Sequence, residues 1–122
     1  MKEHALSFKN ATAGLVWVFK TQRNFKIQLF LSLLSIVGGW YFQITYEEFL
    51  VIGILITVGL VIEVINTAIE EAIDAIHKDW QEQVKIAKDV SAAAMLVFSI
   101  GSFIIACVIF LPHLFGLIHL NF

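Results

Sequence analysis

Five acidic or amide side chains, Glu63, Asn66, Glu70, Glu71 and Asp74, fall in an otherwise apolar stretch of this 122-residue chain. Positions 63, 66, 70 and 74 step by three, four and four, which puts them on one face of a helix. A carboxylate in a lipid-solvated helix costs roughly 2.5–3.5 kcal/mol on insertion scales, so Glu63 has to face a bundle interior or a cavity, where chemistry is the first reading and an interhelical hydrogen bond the second. Asn66 serves the same chemistry or acts only as interhelical glue. Glu71 and Asp74 read as the solvated end of the helix, whereas Glu70 shares the Glu63 face at the depth where a soluble phosphate donor and a lipid head group meet. Lys85, Lys88 and Asp89 then precede another apolar run. Lysines there either anchor a helix to head groups or bind a phosphate as point charges. Carboxylates able to hold a divalent cation, a base for an acceptor hydroxyl and a nearby ammonium are the minimum set for phosphoryl transfer at a membrane surface. The chain contains no Walker A loop, protein-kinase glycine loop or Rossmann fingerprint.

The elements that must hold these residues are membrane helices. Hydrophobic residues make up 59% of the chain and charged residues 15%, against roughly 45–50% and about 25% for a soluble domain. Three apolar blocks, about 27–44, 49–69 and 90–111, approach the roughly 20 residues that cross a hydrocarbon core. All eight Lys and Arg lie in two regions, Lys2, Lys9, Lys20, Arg23 and Lys26 before the first block, and Lys78, Lys85 and Lys88 between the second and third. The positive-inside rule therefore puts the N-terminus and the 70–89 loop in the cytoplasm, with His113 and His119 outward. Trp40, Tyr41, Phe42 and Tyr46 suit an outer aromatic belt, and Trp17 an inner one.

Phe8, Ala11, Leu15 and Val18 recur at helical spacing opposite Lys9, Lys20 and Arg23, which predicts an amphipathic helix over about 5–24 lying on the membrane surface. Pro112 is expected to end the third span, and Gly38, Gly39, Gly53, Gly59 and Gly101 to mark close helix approach. Lys2, Glu3 and His4 lead into a mixed segment that does not read as a secretory signal. A net charge of -2 gives no basic footprint for nucleic acid. Cys107, the one cysteine, reads as apolar filler and excludes a disulfide framework or a Cys-based zinc motif.

The stretch E-V-I-N-T-A-I-E-E-A-I-D at 63–74, the run A-K-D-V-S-A-A-A at 87–94, Gly14-Leu15 and R-N-F-K at 23–26 resemble the prokaryotic diacylglycerol kinase family, which includes undecaprenol kinases. The resemblance implies an all-α integral membrane protein: a homotrimer of subunits with three transmembrane helices and an N-terminal surface helix, with active sites between subunits near the cytoplasmic face of the bacterial inner membrane. It also implies phosphorylation of a lipid hydroxyl that depends on ATP and Mg²⁺. Carried over by position, Glu63 matches the catalytic base beside the lipid and Asn66 an active-site amide. Glu70 matches a metal and ATP ligand, and Lys88 and Asp89 a nucleotide-contacting pair. Asp79 and Gln81 stand where a loop approaches ATP, and Asn10 where the surface helix borders it. Family members often read T-E-R-N before the first span, with the glutamate as second metal ligand, but this chain reads T-Q-R-N, so Gln22 offers the cation a carbonyl oxygen without charge. Positions 79 and 81 likewise hold Asp and Gln where Glu and His are common. Diacylglycerol, giving phosphatidic acid, is the expected acceptor, with undecaprenol, giving undecaprenyl phosphate, as the alternative. Other classes are a catalytically silent membrane subunit, motivated by Gln22, and a small transporter, against which the odd number of spans and the A-K-D run argue.

Overall fold

The computed structural model describes residues 1–120, which form four α-helices: α1 (Lys2–Thr21), α2 (Arg23–Phe42), α3 (Tyr46–Ile76) and α4 (Glu82–Leu120). The last three are long and apolar enough to cross a membrane; at 1.5 Å per residue even the 20 residues of α2 reach about 30 Å. The apolar side chains lie mostly outside. Among the described residues the buried hydrophobics are Val18, Phe25, Ile44, Ile52 and Ile109, whereas Glu63, Asn66, Thr67 and Ser91 are buried polar groups. Lipid-facing surface gains nothing from burial away from water, so close packing and interhelical hydrogen bonds must hold the helices together.

The helices outrun the apolar blocks. Hydrocarbon thickness limits how far an apolar run extends, but the backbone ladder continues into the polar zone: α3 carries the acidic stripe as helix to Ile76, and α4 is already formed at Glu82. The first helix, α1, ends at Thr21, earlier than the expected boundary near 24, because Gln22 is extended (φ -101, ψ 110), while Arg23 and Asn24 open α2. Gln22 is thus the single-residue joint between α1 and α2. Pro112 does not end the third span; it lies inside α4, which runs on to Leu120. A proline deletes only one ladder bond, and the residues beyond it still close helical bonds among themselves, so the helix resumes.

The α2–α3 turn is tightly specified. Gln43 adopts the left-handed conformation (φ 52, ψ 49). Its N–H bonds Trp40 O at 3.3 Å and that of Ile44 bonds Gly39 O at 3.1 Å, the paired closure of a Schellman motif. Thr45 then caps α3 reciprocally: Glu48 N–H donates to Thr45 Oγ1 at 3.2 Å, and Thr45 N–H to Glu48 Oε2 at 2.9 Å. His113 Nε2 lies 3.0 Å from the same Glu48 oxygen, tying α4 to this turn. Ile44, Ile52 and Ile109 pack with Phe42, Phe49, Ile56 and Phe110 to form the apolar core at this end.

Two of the five span glycines are sites of close approach. A Cβ on Gly39 would sit 2.8 Å from the Phe49 ring, and one on Gly59 would collide with the Gln28 amide and the Phe98 ring. Gly38 has ordinary contact with Phe110, while Gly53 and Gly101 face no atom within 4 Å, so the close-packing expectation fails for them within this chain. Gly59→Val is therefore expected to cost about 1–3 kcal/mol of stability or more through overpacking. Gly116→Ala, where nothing lies within 4 Å, should be neutral or slightly stabilising. Thermal unfolding in detergent measures both.

Candidate active site

The acidic stripe grades from buried to exposed along α3. Glu63 is 3% exposed and Asn66 9%, Glu70 is half-buried, and Asp74 reaches solvent. Glu63 lines a cavity of about 540 Å³ between α2, α3 and α4 whose walls include Ile27, Leu31, Ile56 and Phe98. A few polar side chains interrupt those walls, among them Asn24, Gln28, Ser99 and Ser102. Gln28 Oε1 and Ser102 Oγ are buried without a hydrogen-bond partner in the chain. The cavity has the size and apolar character of a small-molecule site with a few placed polar groups. A second cavity, about 1010 Å³ and almost wholly apolar, lies between α1, α2 and α3; Ala11, Leu15 and Val18 line it, as does Glu71. Glu71 thus leaves the Glu63 face.

Hydrogen bonds join the middle of the stripe to α4. Ser91 Oγ donates to Asn66 Oδ1 at 2.6 Å, and Asn66 Nδ2 donates to Glu70 Oε1 at 3.4 Å. Ser91 is absent from the residues singled out by sequence, although it follows Lys88 by three positions and so shares its helix face. A lone serine in an alanine-rich run carries no signal until the partner helix is in place.

Lys88 and Asp89, adjacent in sequence, part company in the fold. Lys88 Nζ reaches across to Asp74 Oδ1, while Asp89 pairs with Lys85 at 2.7 Å one turn back on α4. Both pairs are solvent-exposed and contribute little to stability. Lys88 therefore stands at the open end of the acidic stripe, its ammonium already facing carboxylates. Asp79 and Gln81 are exposed in the α3–α4 connection, and Asn10 is exposed on α1.

For a hard divalent cation the fitting donors are oxygens. Glu70 offers a half-exposed carboxylate, and Gln22 commits its amide nitrogen to Thr21 Oγ1 at 3.3 Å, which leaves its carbonyl oxygen free. Among the described residues no three His, Cys, Asp or Glu converge on a metal position. One or two protein oxygens completed by phosphate and water is nevertheless the usual environment of Mg²⁺, so the Glu70 carboxylate by itself is a fitting donor.

Residues 9–110 match the family model of prokaryotic diacylglycerol kinase. The chain belongs to the prokaryotic diacylglycerol kinase family. A diacylglycerol kinase of Synechocystis sp. is 32% identical over 113 residues, spanning 92% of this chain and 65% of that protein. An undecaprenol kinase of Bacillus subtilis is 34% identical over 108 residues, 88% of each chain. The chain thus spans just under two thirds of one relative and most of the other. Both names describe lipid kinases, in agreement with the expectation raised by the stripe and the A-K-D run, and they differ in the acceptor.

Burial decides which contacts hold this site. Asn66→Ala strands the buried Ser91 hydroxyl and is expected to cost about 1–3 kcal/mol, whereas Asp74→Asn, which breaks an exposed pair, should leave the unfolding midpoint essentially unmoved. Thermal unfolding of the two variants side by side provides the comparison.

Proposed function

We propose that the chain is an ATP-dependent lipid kinase of the bacterial inner membrane, transferring the γ-phosphoryl group to the primary hydroxyl of diacylglycerol to give phosphatidic acid. The observation that carries this reading is the Glu63 carboxylate, buried yet lining an apolar cavity between three membrane helices. A lipid hydroxyl can reach it laterally, and a soluble nucleotide can approach the exposed end of the same stripe.

In this mechanism Glu63 accepts the hydroxyl proton as the lipid oxygen attacks the γ-phosphorus in line. The bond from that phosphorus to the bridging oxygen breaks, and ADP leaves. Asn66 holds its place beside Glu63 and Glu70. Lys88 exchanges Asp74 for phosphate oxygens, while Asn10, Asp79, Gln81 and Asp89 border the nucleotide. Glu70 and the Gln22 carbonyl would hold Mg²⁺, which when bound neutralises phosphate charge. Positioning and charge neutralisation supply most of the acceleration.

All eight Lys and Arg fall either in α1 and the first turn of α2 or between Ile76 and the apolar part of α4, which supports a cytoplasmic N-terminus and α3–α4 connection. The Ala11, Leu15 and Val18 face supports α1 as an amphipathic surface helix. A homotrimer with sites shared between subunits agrees with the incomplete metal shell in one chain and with the exposed apolar residues Ile54, Val61 and Ile65 of α3.

Ser102 favours an ester-bearing acceptor: its buried hydroxyl has no partner in the chain, and the ester groups of diacylglycerol, which lie just beneath the lipid hydroxyl, can accept from it. A polyprenol has no such groups. The second reading, undecaprenol as acceptor, is favoured by the likeness to the Bacillus subtilis protein along 88% of both chains.

Presented with both lipids in one detergent, the protein is expected to label diacylglycerol faster from ATP; faster labelling of undecaprenol would transfer the acceptor assignment. Glu63→Gln should lower turnover about 10²–10⁴-fold, and near-unchanged turnover would remove Glu63 as the base. Gln22→Glu restores a second anionic ligand and is expected to lower the Mg²⁺ concentration for half-maximal activity; activity seen only in that variant would make the natural chain a silent subunit.

A further inference from the structure

Within the lipid-kinase reading Glu70 is the carboxylate offered to the cation, yet its nearest fixed partner is governed from another helix. The Asn66 amide lies between two groups, Ser91 Oγ at 2.6 Å from Oδ1 and Glu70 Oε1 at 3.4 Å from Nδ2. An ionised carboxylate accepts and cannot donate, so the amide must turn its nitrogen toward Glu70 and its oxygen toward α4. Ser91 is then required to donate.

An asparagine amide is nearly isosteric under a half-turn about its terminal bond, so shape alone does not choose between its two orientations. Electrostatic partners choose. With Ser91 donating to the oxygen, the flipped orientation loses one hydrogen bond and sets the amide oxygen against a carboxylate oxygen. Accepting at oxygen also polarises the amide and strengthens its N–H as a donor. Ser91 and Asn66 are each only 9% exposed, so water is poorly placed to substitute for the serine.

We propose that Ser91 is a positioning residue: acting through Asn66, it sets the orientation of the Glu70 carboxylate and thereby the affinity of the site for Mg²⁺-nucleotide. The ligand's identity rests on the lipid-kinase reading, whereas the Ser91–Asn66–Glu70 geometry does not.

Ser91→Ala is expected to raise KM for Mg²⁺-ATP about fivefold, the factor equivalent to one net hydrogen bond, with kcat changed less than twofold. Ser91→Thr keeps the hydroxyl and should restore KM. Two readouts are independent of turnover: calorimetric binding of Mg²⁺-ADP, and the side-chain Nδ2–H resonance of Asn66 in protein labelled with ¹⁵N-asparagine, assigned by its loss in Asn66→Ala. Ser91→Ala should weaken binding by the same factor and shift that resonance; Ser91→Thr should leave both near wild type. Unchanged binding and an unshifted resonance in Ser91→Ala would overturn the proposal. So would a fall in unfolding temperature and kcat at constant KM, since that pattern marks a residue that only packs. A wild-type protein that phosphorylates no lipid would sink the kinase reading, while the ADP titration and the resonance would still decide the role of Ser91.

Discussion

Glu63 imposes two demands that pull against each other. A carboxylate is poorly tolerated among lipid tails, yet the role proposed for it, base to a lipid hydroxyl, requires that it not be sealed away from lipid. The fold meets both by burying the side chain against α2 and α4 while opening one side onto an apolar cavity. Much else follows from that compromise. Gly59 has no side chain because Gln28 and Phe98 close the bundle one turn away. Asn66 and Ser91 satisfy each other where water is scarce. Asp74, Lys85, Lys88 and Asp89 gather where α3 leaves the apolar zone.

The stripe was legible in the sequence because a period of three and four is a geometric statement: residues 63, 66, 70 and 74 share a face in any α-helix, whatever packs on it. Which of them would be buried was legible in part, since distance from the nearest basic cluster orders them by depth. Cross-helix partners were not. Lys88 pairing with Asp74, Asp89 turning back to Lys85, and Ser91 reaching Asn66 all depend on the register of α4 against α3, which neither helix encodes alone. The helix ends were misjudged for a related reason. Hydropathy reports where lipid begins and ends, whereas capping and backbone pairing decide where a helix does, so Gln22 and Pro112 fell on the wrong side of their boundaries.

Family membership and the geometry bear on different parts of the chemistry. The former brings a lipid hydroxyl and ATP together as a class of reaction; in the proposed mechanism the latter gives each its own approach, one through the cavity beside Glu63 and one past the exposed end of the stripe. Gln22 stands at the joint where α1 gives way to α2. In the proposed mechanism its neutral carbonyl makes the site less anionic than the T-E-R-N pattern would, and cation binding would then rest mainly on Glu70 and the phosphates themselves.

The helix that continues through Pro112 also works as a depth gauge. Proline has no N–H, so the carbonyl of Val108, four residues back, has no ladder partner, and it is most cheaply satisfied where water or head-group donors reach it. If that carbonyl marks one rim of the hydrocarbon, the opposite rim follows from length alone. Seventeen residues of α4 separate Val108 from Ser91, a rise of about 26 Å, against roughly 30 Å for the whole core. On that footing Ser91, bonded to Asn66, lies within a helical turn of the opposite rim, the depth at which the hydroxyl of an upright lipid hangs.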